Sequence, residues 1–123
     1  MSRHAVLPTQ IRPKRLYEPA SSEDGVRVLV DRLWPRGLRK ENAAVAHWMK
    51  DIAPSPALRQ WFGHDLECWQ EFRHRYTVEL RHHVPELEEL RELARHGPVT
   101  LLFGARDEAH NDAVVLCDVL LKS

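Results

Sequence analysis

Side chains able to do chemistry concentrate in two short stretches, Asp31 to Gly37 and Gly104 to Asn111. In the second, Gly104 lets backbone approach a ligand closely, and a helix starting beyond it offers free N–H groups at its first turn. Together these favour an anion seat. Arg106 adds a fork for a planar anion, while Asp107, His110 and Asn111 supply a carboxylate, a titratable imidazole and an amide. In the first stretch Asp31 and Arg32 directly follow an apolar run, and Trp34 and Arg36 flank Pro35. A tryptophan beside two arginines suits a flat or phosphorylated ligand through stacking and ion pairing. Pro35 holds Trp34 extended and Gly37 permits a positive φ, so this is a shaped loop. Asp31, Asp107 and His110 are the acid–base candidates; Arg32, Trp34, Arg36, Gly37, Gly104, Arg106 and Asn111 are the ligand-holding ones. Each loop also has a plainer reading. Asp107 or Glu108 can serve as a helix cap with His110 solvated, and Asp31 can brace Arg32 while Trp34 covers the core.

Other chemistries find less support. Cys68 and Cys117 form no C-x-x-C, and Cys117 falls on an apolar helix face with Ala113, Val114 and Leu120, as a small buried hydrophobe would. His82 and His83 are adjacent and point about 100° apart on a helix. His64, Asp107 and His110 can meet only through tertiary folding, so neither metal nor other cofactor is expected. There is no G-x-S-x-G, and Ser55 before Pro56 reads as a helix cap. Eighteen basic residues balance eighteen acidic ones, so no overall field draws the chain to nucleic acid. A small anionic ligand is the expected partner, nucleic acid and membrane are not, and homo-oligomerisation stays open.

The elements that must position these loops follow from periodicity. Residues 1–10 read as a loose tail and residues 11–123 as one domain. Ile11 to Tyr17 starts as a strand, with Pro13 tolerated near its beginning or on an edge. Val26 to Val30 and Val99 to Phe103 are the clearest strands. Residues 40–46 suggest a helical turn, and Ala46 to Ile52 a short strand. Ser55-Pro56 starts a helix ending near Gly63, with Trp61, Phe62 and Trp69 expected in the core. Asp65 can cap a helix carrying Leu66, Trp69, Phe72, Tyr76 and Leu80 inward. Pro85 to Gly97 and Asn111 to Leu121 give two more helices. Lys50, Arg59 and His64 read first as solvated. Apolar strands alternating with helices predict an α/β domain, a small, mostly parallel sheet covered by helices. Ligands of such sheets sit beyond the carboxyl ends of the strands. Both loops leave such ends, so they face each other if the two strands are parallel neighbours. No run of about 18 apolar residues and no signal-peptide pattern occurs, so the chain is expected in the cytoplasm.

Three strings carry a resemblance: Val30-Asp-Arg-Leu-Trp-Pro-Arg-Gly37; Trp48-x-Lys50 leading to Ala53-Pro-Ser55; and Leu101-Leu-x-x-Ala-x-Asp-x-x-His-Asn111. They resemble the YeaO-like family, a bacterial branch of domain-of-unknown-function family 488, from about Ile11 to Leu121. The resemblance implies a compact α/β domain and a cytoplasmic bacterial protein, with no established reaction. Other branches of that family carry a cysteine near the end of the last strand. Here Phe103 and Gly104 stand in its place, which counts against a thiolate mechanism. The expectation is a pocket for an anionic or phosphorylated small molecule, in a small enzyme or enzyme-like protein. The alternative is a non-catalytic module whose same pocket recognises a protein partner's acidic segment.

Overall fold

Alternation along the strands divides the molecule into two unequal layers. In the computed structural model, which describes residues 10–122, four parallel strands lie in the order β1-β4-β2-β3. They are β1 (Ile11–Arg15), β2 (Val26–Leu29), β3 (His47–Trp48) and β4 (Val99–Phe103). One face presents Ile11, Val28, Val99, Leu101 and Phe103 to the main core. The other carries Leu29 and Leu102 to a smaller cluster with Leu16 and Ala43. β4 lies between β1 and β2 and is buried along its whole length. That explains its unbroken apolar sequence, because a central parallel strand is covered on both faces.

The main core is closed by α2 (Pro56–Phe62), α3 (Trp69–Leu80), α4 (Val84–Arg95) and α5 (Asp112–Leu121). Their inward positions include Phe62, Phe72, Tyr76, Leu80, Leu87, Leu90, Ala94, Leu116 and Leu120, recurring at helical spacing as expected. The opposite face is covered by the four-residue α1 (Lys40–Ala43) and by Trp34, Leu38, Val45 and Trp48. Pro13 lies in the edge strand β1, where no ladder partner is needed on the outer side.

Several local expectations changed on folding. Only His47 and Trp48 pair as β3, after which Lys50–Ile52 makes a single 3-10 turn. Asp65 accepts from the Glu67 amide at 3.0 Å and caps another 3-10 turn, Leu66–Cys68, that runs into α3. Leu66 is thereby turned to solvent, 56% exposed. Trp61, expected in the core, is 41% exposed and lies under the Arg75 guanidinium at 4.1 Å. A cation over an indole face keeps that ring satisfied at the surface. The expected loose tail lies outside the described residues except for Gln10, whose side-chain amide donates to the Ala94 carbonyl at 2.6 Å. Among the described residues no helix is long and apolar enough to cross a membrane.

Candidate functional site

β2 and β4 pair in parallel from Val26↔Val99 to Leu29↔Leu102. Their following loops therefore leave side by side, which brings the Asp31 and Gly104 segments together. The Gly104 amide donates to Asp31 Oδ2 at 2.8 Å, tying one loop to the other. A Cβ at Gly104 would lie 3.3 Å from both Asp31 Oδ2 and Pro35 Cγ, tighter than side chains ordinarily tolerate. Glycine is used there for close approach.

Between the loops lies a cavity of about 430 Å³. Asp31, Arg32, Trp34, Arg36 and Gly104 line it, with His110 and Asn111 from the second loop. Arg106, Asp107 and Gly37 are not part of its lining; Arg106 and Gly37 are exposed. Arg59 from α2 and His64 after it also line the cavity, while both stay exposed, in keeping with the solvated reading. His64 reaches it from a backbone with φ 61°. Buried Phe62 and Phe72, stacked at 4.3 Å, supply an apolar wall.

The central feature is a carboxyl pair. Asp31 is hydrogen-bonded side chain to side chain with Asp112, the first residue of α5. Two carboxyl groups this close and withdrawn from water do not both ionise, so the pair holds one proton and one negative charge. Burial raises both carboxyls; Asp112, facing the Asp31 charge, is pushed well above the usual range and keeps the proton. Asp31 is raised less because the hydrogen bond from Asp112, the Gly104 amide and the charges of Arg59 and His64 oppose its burial. Asp112 was not among the expected site residues. Its one signal was the doublet Asn111-Asp112: a single residue caps a helix, which leaves the second polar side chain unexplained.

The anion seat expected at the start of α5 is already filled. The Val114 amide donates to Asn111 Oδ1 at 3.0 Å, and the Ala113 amide to Asp112 Oδ1 at 2.8 Å. Asn111 is thus the cap, rather than Asp107 or Glu108. Asp107 instead accepts from the amides of Ala109 and His110 at 2.9 and 3.1 Å, and its carboxylate meets His110 Nδ1 at 3.0 Å. The Ala109 amide, with the His110 ring and amide, holds its pKa down. His110 lies edge-on to Trp69, with centroids 5.0 Å apart. Trp34 lines the cavity while its indole N–H donates to the Leu38 carbonyl at 2.6 Å and its ring meets Trp48 edge-on at 5.4 Å.

Arg32 is half-buried and its guanidinium is weakly held. Its Nη2 reaches the Ala53 and Pro54 carbonyls at 3.3 and 3.5 Å, and its Nε is buried without a partner. Among the described residues neither Arg32 nor Arg59 forms an ion pair with the acidic pair. No group of three or more His, Cys, Asp or Glu side chains is placed to hold a metal among those residues. Both cysteines stand away from the cavity. Cys117 donates towards the Ile11 carbonyl at 3.5 Å, and burial pushes its thiol up to about 11. Cys68 sits beside the Asp65 carboxylate at 3.7 Å.

The shared proton has a testable consequence. A carboxyl whose folded pKa lies above its unfolded value contributes fully below the unfolded value, and that contribution is lost as pH rises through the folded one. Wild-type protein is expected to lose stability through Asp112 as pH rises from about 4. Asp112→Asn should flatten that part of the profile and exceed wild type near pH 7 by roughly 1 kcal/mol. Melting temperatures across the range check it; parallel profiles for the two proteins would sink the shared-proton assignment.

Comparisons with known proteins give the family. Residues 10–123 match the family described as the inactive DUF488-N3 subclade. The chain is 44% identical over 110 residues to the uncharacterized protein YeaO of Escherichia coli K12, covering 89% of this chain and 96% of that one. It is 44% identical over 115 residues to the uncharacterized protein Rv3073c of Mycobacterium tuberculosis H37Rv, covering 94% and 97%. No solved structure gives a significant match. The resemblance in the three sequence strings thus extends over nearly the whole chain, and the protein belongs to the DUF488 family, in the subclade described as inactive.

Proposed function

We propose that the cavity is a non-catalytic binding pocket for a small anionic ligand carrying a carboxylate or phosphate group. The observation that carries this reading is Arg32, a cavity-lining cation whose Nε has no partner and whose other contacts are two long bonds to carbonyls. A guanidinium N–H withdrawn from water and left without an acceptor is costly, and an arriving anion relieves that cost. Arg59 and Arg36, both exposed and both lining the cavity, add positive charge towards its mouth. Binding rather than turnover is favoured by the description of the subclade as inactive and by the absence of a cysteine between Phe103 and Asn111.

Inorganic phosphate and small carboxylates are expected to raise the melting temperature, by the equivalent of about 2–3 kcal/mol at a hundredfold excess over Kd. Arg32→Ala should abolish the shift. Arg106→Ala should keep it, because that side chain stands outside the cavity. No shift with any of these anions in wild type, or an equal shift in Arg32→Ala, would overturn the assignment.

A further inference from the structure

The pocket holds charge of both signs, and among the described residues no ion pair joins its two halves. The Asp31–Asp112 pair carries one net negative charge, pinned at the junction of the loops by the Gly104 amide. Arg32 and Arg59 line the same cavity, yet among the described residues neither is ion-paired to those carboxyls. Arg32 is instead left with a buried, unpartnered Nε. A simple anion pairs with the arginines but meets the acidic pair as a like charge, and a simple cation meets the converse. Only a ligand with both poles gains at both ends, and buried charges gain most from being paired. The cavity volume, about 430 Å³, is in the range that encloses small molecules.

From this layout we infer that the ligand is a small zwitterion, its anionic group at Arg32 and Arg59 and its ammonium or similar N–H donor at the Asp31–Asp112 pair. The inference rests on the pocket reading above and narrows its ligand class. The acidic pair suits an ammonium well, since the Asp31 carboxylate accepts from it while the proton stays on Asp112. Mutual hydrogen bonding fixes both carboxyls before the ligand arrives, so little ordering remains to be done on binding.

The experiment titrates the full-length protein with matched probes: glycine, β-alanine, γ-aminobutyrate and aminocaproate, each beside the alkanoate and the alkylamine of equal chain length. Inorganic phosphate serves as a separate anion. At least one amino acid is expected to bind about tenfold or more tighter than both of its single-charge counterparts. Asp112→Asn keeps the Asp31 carboxylate beside a neutral donor, so the preference over the alkanoate should persist there. In the double variant Asp31→Asn/Asp112→Asn, which removes the charge of the pair, it should fall at least threefold. In Arg59→Gln, affinity for the amino acid and the alkanoate should fall together. Equal binding of an alkanoate and its amino acid would overturn the zwitterion while leaving the anion pocket standing. Phosphate binding without any amino-acid preference would do the same. Equal binding of the alkylamine, or no binding of any probe including phosphate, would overturn both. If the double variant does not fold, the wild-type probe comparison decides alone.

Discussion

Asp24→Ala is expected to lower stability by about 2–4 kcal/mol, a large share of what holds a domain of this size together. Asp24 exposes none of its surface and accepts from three cations, Arg12 at 2.7 Å, Lys14 at 3.0 Å and buried Arg27. It also accepts from the Ser21 amide at 3.0 Å, while its own carbonyl accepts from the buried Thr100 hydroxyl at 2.7 Å. Removing the carboxylate leaves Arg27 enclosed with, among the described residues, only the Ala43 and Ala44 carbonyls as partners. Breaking one side of such a cluster costs more than the pair is worth, because the remaining charge stays desolvated. Arg12 and Lys14 reach solvent, and that screening keeps the figure below the full value for a sealed pair.

The same residue sets a direction with pH. Burial alone would raise the Asp24 carboxyl, but the hydrogen bonds from Lys14, the Ser21 amide and Arg27 outweigh it and hold the group well below the usual carboxylate range. A depressed folded pKa contributes stability that is fully present above the unfolded value, about pH 4, and lost as pH falls through the folded one. This slope is opposite in sign to that of Asp112. Urea midpoints near neutrality and in acid test both statements. An Asp24→Ala protein within about 0.5 kcal/mol of wild type, or with unchanged acid sensitivity, would remove the cluster from the account of stability.

Gly25→Ala should be costlier still, above about 4 kcal/mol, with loss of folded protein the expected outcome. Gly25 has φ 63° and ψ −133°, a region open to glycine and strongly disfavoured for L side chains. A Cβ there would lie 2.1 Å from the Pro98 carbonyl oxygen and 2.8 Å from its carbon. Those atoms are backbone, and the same oxygen accepts from the Val26 amide at 3.0 Å to begin the β2–β4 pairing. The clash therefore falls on the contact that sets the register of the two site-bearing strands. Gly37→Ala is the control, since φ there is 76° but no atom lies within 4 Å of the added carbon. It should cost only about 1–2 kcal/mol. Equal losses for the two substitutions, measured by denaturant titration, would show that conformation alone matters at Gly25.

Much of this molecule is legible in short-range signals. β2 and β4 announce themselves as apolar runs, and Ser55-Pro56 starts α2 with the serine hydroxyl accepting from Leu58 at 3.2 Å. Two polar loops following two strands of one parallel sheet were enough to place them at the same end of the fold. These features depend on a few neighbouring residues, so a local reading reaches them.

Which side chains of those loops enter the cavity was decided only by tertiary packing. Arg106 and Asp107 looked equivalent to His110 by spacing, but the turn that Asp107 forms with the Ala109 and His110 amides leaves the imidazole at the cavity and the other two outside its lining. Arg59 and His64 come from α2 and its end, held near the loops by the burial of Leu58 and Phe62 in the main core. Asp112 joined the site only when α5 packed against β1 and β4 and brought its carboxyl onto Asp31. The sequence by itself determined the sheet-and-helix class, the strands that bear the loops and the Ser55 cap of α2. The charge layout of the cavity, an acidic pair and arginines that form no ion pair with it among the described residues, depends on helix phase and strand register, which long-range burial sets and local composition does not.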